Sequence, residues 1–72
     1  MVKATIISND SKFHFTKFRV LPLIPPIGTP IYLWLEGLGR KFMVKSMHMI
    51  EPASSDDVWE VCLTLDYIPD KD

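Results

Sequence analysis

Apolar and polar residues alternate with a period of two over most of this chain, and that pattern predicts five strands. Val2-Lys-Ala-Thr-Ile-Ile-Ser8 sets Val2, Ala4 and Ile6 against Lys3 and Thr5, as in a half-buried strand. Asn9-Asp10-Ser11 punctuates it. In residues 12–20 the parity changes: Phe13 and Phe15 are odd, whereas Phe18 and Val20 are even, so a bulge near Thr16-Lys17 is expected. The most regular strand is the last. There Trp59, Val61, Leu63, Leu65 and Tyr67 alternate with Glu60, Cys62, Thr64 and Asp66, and Pro69 with Asp70-Lys71-Asp72 ends the run.

Residues 31–50 read as a hairpin that is apolar on both faces. Glu36-Gly37-Leu38-Gly39 supplies two glycines able to take positive φ, so these four residues are the expected loop. With Leu35 facing Arg40, Leu33 would meet Phe42, Ile31 would meet Val44, Tyr32 would meet Met43 and Trp34 would meet Lys41. One face then carries Ile31, Leu33, Leu35, Phe42 and Val44. The other carries Tyr32, Trp34 and Met43, with Lys41 and Lys45 beside them. Beyond Val44 the apolar positions change parity again, to Met47 and Met49, which calls for a second bulge.

Between the second strand and this hairpin, Leu21-Pro-Leu-Ile-Pro-Pro-Ile-Gly-Thr-Pro30 holds four prolines, which exclude a helix or a central strand. A rigid extended connector is expected, with Leu21, Leu23, Ile24 and Ile27 capping an open end of the fold. Arg19-Val-Leu-Pro22-Leu-Ile-Pro25 also has the spacing of a polyproline ligand, but its apolar residues favour burial. The polar stretch from Glu51 to Asp57 is a loop, with room for one turn near Ser54 to Asp57.

At 72 residues the chain is a single domain spanning 1–72, of a size that buries only about 60% of its unfolded surface. Its one cysteine, Cys62, allows no intrachain disulfide, so oligomerisation is the expected source of extra stability. A lone thiol, no long apolar span and no signal-like start point to a cytoplasmic protein without a membrane segment. The net charge of −1 is unevenly spread: residues 1–45 hold seven basic groups against two acidic, and residues 46–72 one basic against seven acidic. Pairing of these charges across neighbouring strands is the expected use.

Five strands with a long proline loop after the second resemble the small SH3-like barrels. The run Leu-Ile-Pro-Pro-Ile-Gly-Thr-Pro-Ile-Tyr-Leu, followed by Lys-Phe-Met-Val-Lys-Ser-Met-His, is similar to a pattern in uncharacterised short bacterial and phage proteins. That resemblance, over roughly residues 21–49, implies a small five-stranded antiparallel barrel, SH3-like or OB-like, and no activity.

No G-x-S-x-G, P-loop, H-E-x-x-H or C-x-x-C is present, so no enzyme, cofactor or metal is expected. His14, His48 and Cys62 are scattered, and simple packing accounts for them better than a thiol-imidazole or zinc site. Asp56 and Asp57 read as solvated loop charges. The second hairpin face is the informative surface, because an apolar patch rimmed by charge marks a contact site. Tyr32, Trp34, Lys41, Met43 and Lys45 are therefore the expected partner-binding residues of a non-enzymatic interaction or assembly module, with self-association as its leading use. The same aromatics and lysines would suit a single-stranded nucleic-acid or nucleotide binder, by stacking and phosphate contact.

Overall fold

The most regular alternation in the chain lies at the centre of its sheet. The computed structural model describes residues 1–69, and over them the chain forms β1 (Val2–Asn9), β2 (His14–Leu21), β3 (Pro30–Leu35), β4 (Leu38–Ile50) and β5 (Glu60–Tyr67). The strand order is β2-β1-β5-β4-β3, in one strongly curled half-barrel with no helix among the described residues. None is therefore long and apolar enough to cross a membrane. The final Asp70-Lys71-Asp72 lies outside the described residues.

The expected all-β, barrel-like architecture forms, with one difference in strand direction. β1–β2, β3–β4 and β4–β5 are antiparallel, but β1 and β5 run parallel. Parallel neighbours need a long crossover, and all the chain between β1 and β5 serves as one.

Burial follows position in the sheet. The fully buried apolar residues are Ala4 and Ile6 of β1, Phe42 and Val44 of β4, and Val61, Leu63 and Leu65 of β5. Neither β2 nor β3 contributes one. At one end of the concave face Phe42 sits among aromatic rings, with Phe15 at 5.5 Å, Tyr67 at 5.4 Å and Phe13 at 6.4 Å between centroids. The Phe13 and Phe15 contacts are edge-to-face, the geometry that the ring quadrupoles favour.

The bulge expected in β2 does not form. Its register with β1 is unbroken from Val2 opposite Leu21 to Asn9 opposite His14. The turn between the strands explains this: Asp10 Oδ2 accepts the N–H groups of Lys12 (2.8 Å) and Phe13 (3.2 Å), and a loop locked by such bonds fixes the register that follows. The parity change is therefore expressed as exposure. Phe18 and Val20 stand on the convex face, 72% and 61% exposed.

The hairpin turn is also tighter than expected. Leu35 pairs with Leu38 rather than Arg40, leaving Glu36 and Gly37 as a two-residue turn with φ of 52° and 81°. Two consecutive positive φ values give a type I′ turn, whose twist matches that of the strands. The pairing accordingly moves by two residues: Ile31 meets Phe42, Tyr32 meets Lys41 and Trp34 meets Gly39. A two-residue shift preserves side-chain parity, so the two faces keep their expected membership.

The second bulge forms where expected, between Val44 and Ser46, with Lys45 as the extra residue. Beyond it Met47 turns inward and packs on the core, while Ser46 and His48 turn outward.

The connector caps the core with only half of its apolar residues. Leu21 and Ile24 pack against the core, whereas Leu23 and Ile27 are exposed. The cause is a turn in which Thr29 N–H donates to Pro26 C=O (3.1 Å) and Gly28 takes φ of 93°, swinging Ile27 outward. Gly28 N–H to Val44 C=O (2.8 Å) and Val44 N–H to Thr29 C=O (3.0 Å) then tie the connector to β4.

Candidate functional site

β3 is an edge strand, which is why it tolerates Pro30, and it is bonded on one side only. Its alternation sends Ile31, Leu33 and Leu35 inward and Tyr32 and Trp34 outward, 67% and 74% exposed. Across the hairpin Tyr32 faces Lys41, and Trp34 faces Gly39, which has no side chain to cover the ring. Met43, half-buried, lies between Pro30 on β3 and Asp66 on β5. Lys45 projects from the bulge with its Nζ 3.9 Å from Asp66 Oδ1.

Of the five expected contact residues, Tyr32, Trp34 and Lys41 form one continuous strip, Met43 extends it, and Lys45 is drawn towards Asp66. Met47 and Met49 do not belong to it. Past the bulge they point to the concave side, where Met49 joins Met1, Val2, Ile24, Val58 and Trp59 around an apolar groove of about 590 Å³.

The other candidates separate in space. His48 faces Cys62 across β4 and β5, while His14 faces Asn9 at the far side of the sheet on β2. No three metal-ligating side chains come together among the described residues. In the 51–59 loop, Asp57 accepts the Val58 N–H (2.9 Å) and lies 3.2 Å from Lys3 Nζ. The backbone bond first, then the lysine, hold its carboxyl below the ordinary carboxylate value. Its neighbour Asp56 is exposed on the same loop. The two ion pairs found among the described residues, Lys3–Asp57 and Lys45–Asp66, join the basic part of the sequence to the acidic part.

Sequence reasoning missed the exposure of Phe18 and Val20. Their even parity against Phe13 and Phe15 was the available signal, and it fits either a bulge or an outward-facing pair. Trp59 was expected inside with β5, but that strand begins at Glu60, and Trp59 lies half-exposed in the Met49 groove. Neither a family model, a curated protein nor a solved structure matches this chain.

Proposed function

We propose that this chain is a non-enzymatic interaction module that self-associates through the outer face of its β3–β4 hairpin. The observation that carries this reading is the pair Tyr32 and Trp34, two large aromatics standing largely exposed on one face of an edge strand. Exposed aromatics are costly in water and are the residue types that anchor protein interfaces. Lys41 and Met43 beside them give the strip a polar border and an adaptable one, a composition suited to protein contact. A 72-residue half-barrel whose edge strands contribute no fully buried residue also gains stability by covering such a surface.

Sedimentation equilibrium tests the reading. The parent chain should form a dimer or larger species, and Trp34→Ala should weaken association by more than about 1 kcal/mol. A strict monomer at high concentration would remove self-association.

The placement of Tyr32 opposite Lys41 in the hairpin supports one further reading of the same strip, as a single-stranded nucleic-acid binder. That reading requires affinity for an oligonucleotide that falls steeply with salt and is lost in the double variant Lys41→Glu, Lys45→Glu. Self-association, being largely apolar, should persist in that variant.

A further inference from the structure

The half-barrel is open along one line, the seam between β2 and β3. No Cα of β2 lies within 8 Å of a Cα of β3, so the rims do not pair. They are nonetheless close, because Lys17 Nζ on β2 reaches the Trp34 carbonyl of β3 at 3.2 Å. A lysine stem extends about 6 Å from its Cα, so standard bond lengths put the rims roughly 10 Å apart at that point. Neighbouring strands are spaced about 4.8 Å, and the seam is therefore about one strand wide.

Both rims turn backbone groups that no neighbouring strand pairs towards this gap. Leu35 and Leu38 close the two-residue turn as a hydrogen-bonded pair, so by antiparallel alternation the N–H and C=O of Tyr32 and Trp34 point away from β4. The Trp34 carbonyl, taken by Lys17, is one of these. On the opposite rim the Phe18 carbonyl accepts Arg19 Nη1 at 2.8 Å, which places the backbone groups of Thr16, Phe18 and Val20 on the seam side. Thus each rim has a carbonyl held by a cationic side chain of β2 rather than by a neighbouring strand.

The space between the rims is not filled. A cavity of about 530 Å³ lies on one side of Lys17, floored by Ile6, Ile31 and Leu33 and walled at one end by Leu23, Pro25 and Pro26 of the connector, and another of about 270 Å³ lies on the other side, beside Phe15 and Leu35. Their charged borders are mainly basic: Lys12, Lys17 and Arg19 against Glu36.

From this geometry we infer that the seam accepts one extended segment of a partner protein as a sixth strand, with apolar residues at alternate positions and an acidic residue near Lys17 and Arg19. The inserted strand takes over the Trp34 and Phe18 carbonyls, and its apolar side chains enter the two cavities. The displaced Lys17 and Arg19 become free to pair with its carboxylate. This surface is distinct from the outward Tyr32 and Trp34 rings, although it uses the backbone of the same strand.

The test is selection of binders to the full chain from a displayed library of eight-residue segments, followed by hydrogen exchange with the best binder as a synthetic peptide. Enriched segments should alternate apolar and polar residues and carry Asp or Glu. The peptide should slow exchange at the amides of Phe18, Val20, Tyr32 and Trp34 at least tenfold. Val20→Pro removes one seam-facing donor and no bond to β1, so it should weaken the peptide at least tenfold. Lys17→Gln should abolish the preference for an acidic residue while retaining the alternation. Three results would overturn the proposal: no enrichment over a library with proline at every second position, protection confined to the outer face of β3–β4, or seam amides that become protected without peptide as the chain is concentrated, which would make a second copy the occupant.

Discussion

The three inner strands and the two rim strands are written in the same alternating code, yet they do different work. β1, β5 and β4 each have partners on both sides and hold every fully buried apolar residue. β2 and β3 have one partner each, and their outward positions carry Phe18, Val20, Tyr32 and Trp34, all largely exposed. An inward apolar side chain on an inner strand is covered by neighbours on both flanks, whereas one on a rim strand is half open to the seam. Stability is thus concentrated in the middle of the sheet, and unsatisfied surface at its edges. Such a division leaves the rims free to bind without endangering the core.

Matched substitutions on the two regions would break this comparison most directly. Leu63→Ala, at a fully buried position in β5, should cost about 3 kcal/mol, while Leu33→Ala, at a partly buried position in β3, should cost about 1 kcal/mol. Urea denaturation of both variants measures the gap. Equal losses would mean that the seam is as well packed as the centre.

A second pair sharpens the contrast within the connector. Ile24→Asp places a charge against the core and should cost about 2 kcal/mol. Leu23→Asp, one residue earlier and 78% exposed, should stay within about 0.5 kcal/mol of the parent. Thermal melts would show whether the connector distinguishes the two positions or behaves as a free tether.

The smallest effect concerns the turn that sets the rim. Glu36 holds a φ of 52°, which a residue with a long side chain adopts at some cost and asparagine adopts readily. Glu36→Asn should therefore stabilise the chain by about 0.5 kcal/mol. A higher melting temperature with unchanged association is the expected outcome, since the turn lies beyond the Tyr32 and Trp34 strip.

The sequence reading succeeded where one force dominates. In β5 every second residue must be apolar to reach the core, and Val61, Leu63 and Leu65 are buried as that pattern requires. The change of parity from Val44 to Met47 likewise demanded a bulge, because the core claims residues on both sides of it. In β2 the same kind of signal misled. There the Asp10 turn fixes the register before Phe18 is reached, and a rim strand has no buried volume that compels the chain to correct itself. The hairpin faces were legible although the pairing was not, since four-residue and two-residue turns place the same side chains outward. The seam was not legible at all. It depends on which strands become neighbours, and in particular on β5 entering beside β1, a choice that local alternation does not encode.

The placement of β5 has a consequence for how the molecule is made. Of the five described strands, the one made last is the middle strand of the sheet, so until Leu65 is available β1–β2 and β3–β4 are two separate hairpins, each too small to be stable alone. Folding must wait for contacts between residues about 57 positions apart, such as Ala4 with Val61, and such distant closures are slow. During that interval the future core faces of both hairpins are bare, and exposed apolar faces and unpaired edges of this kind are open to pairing with other chains.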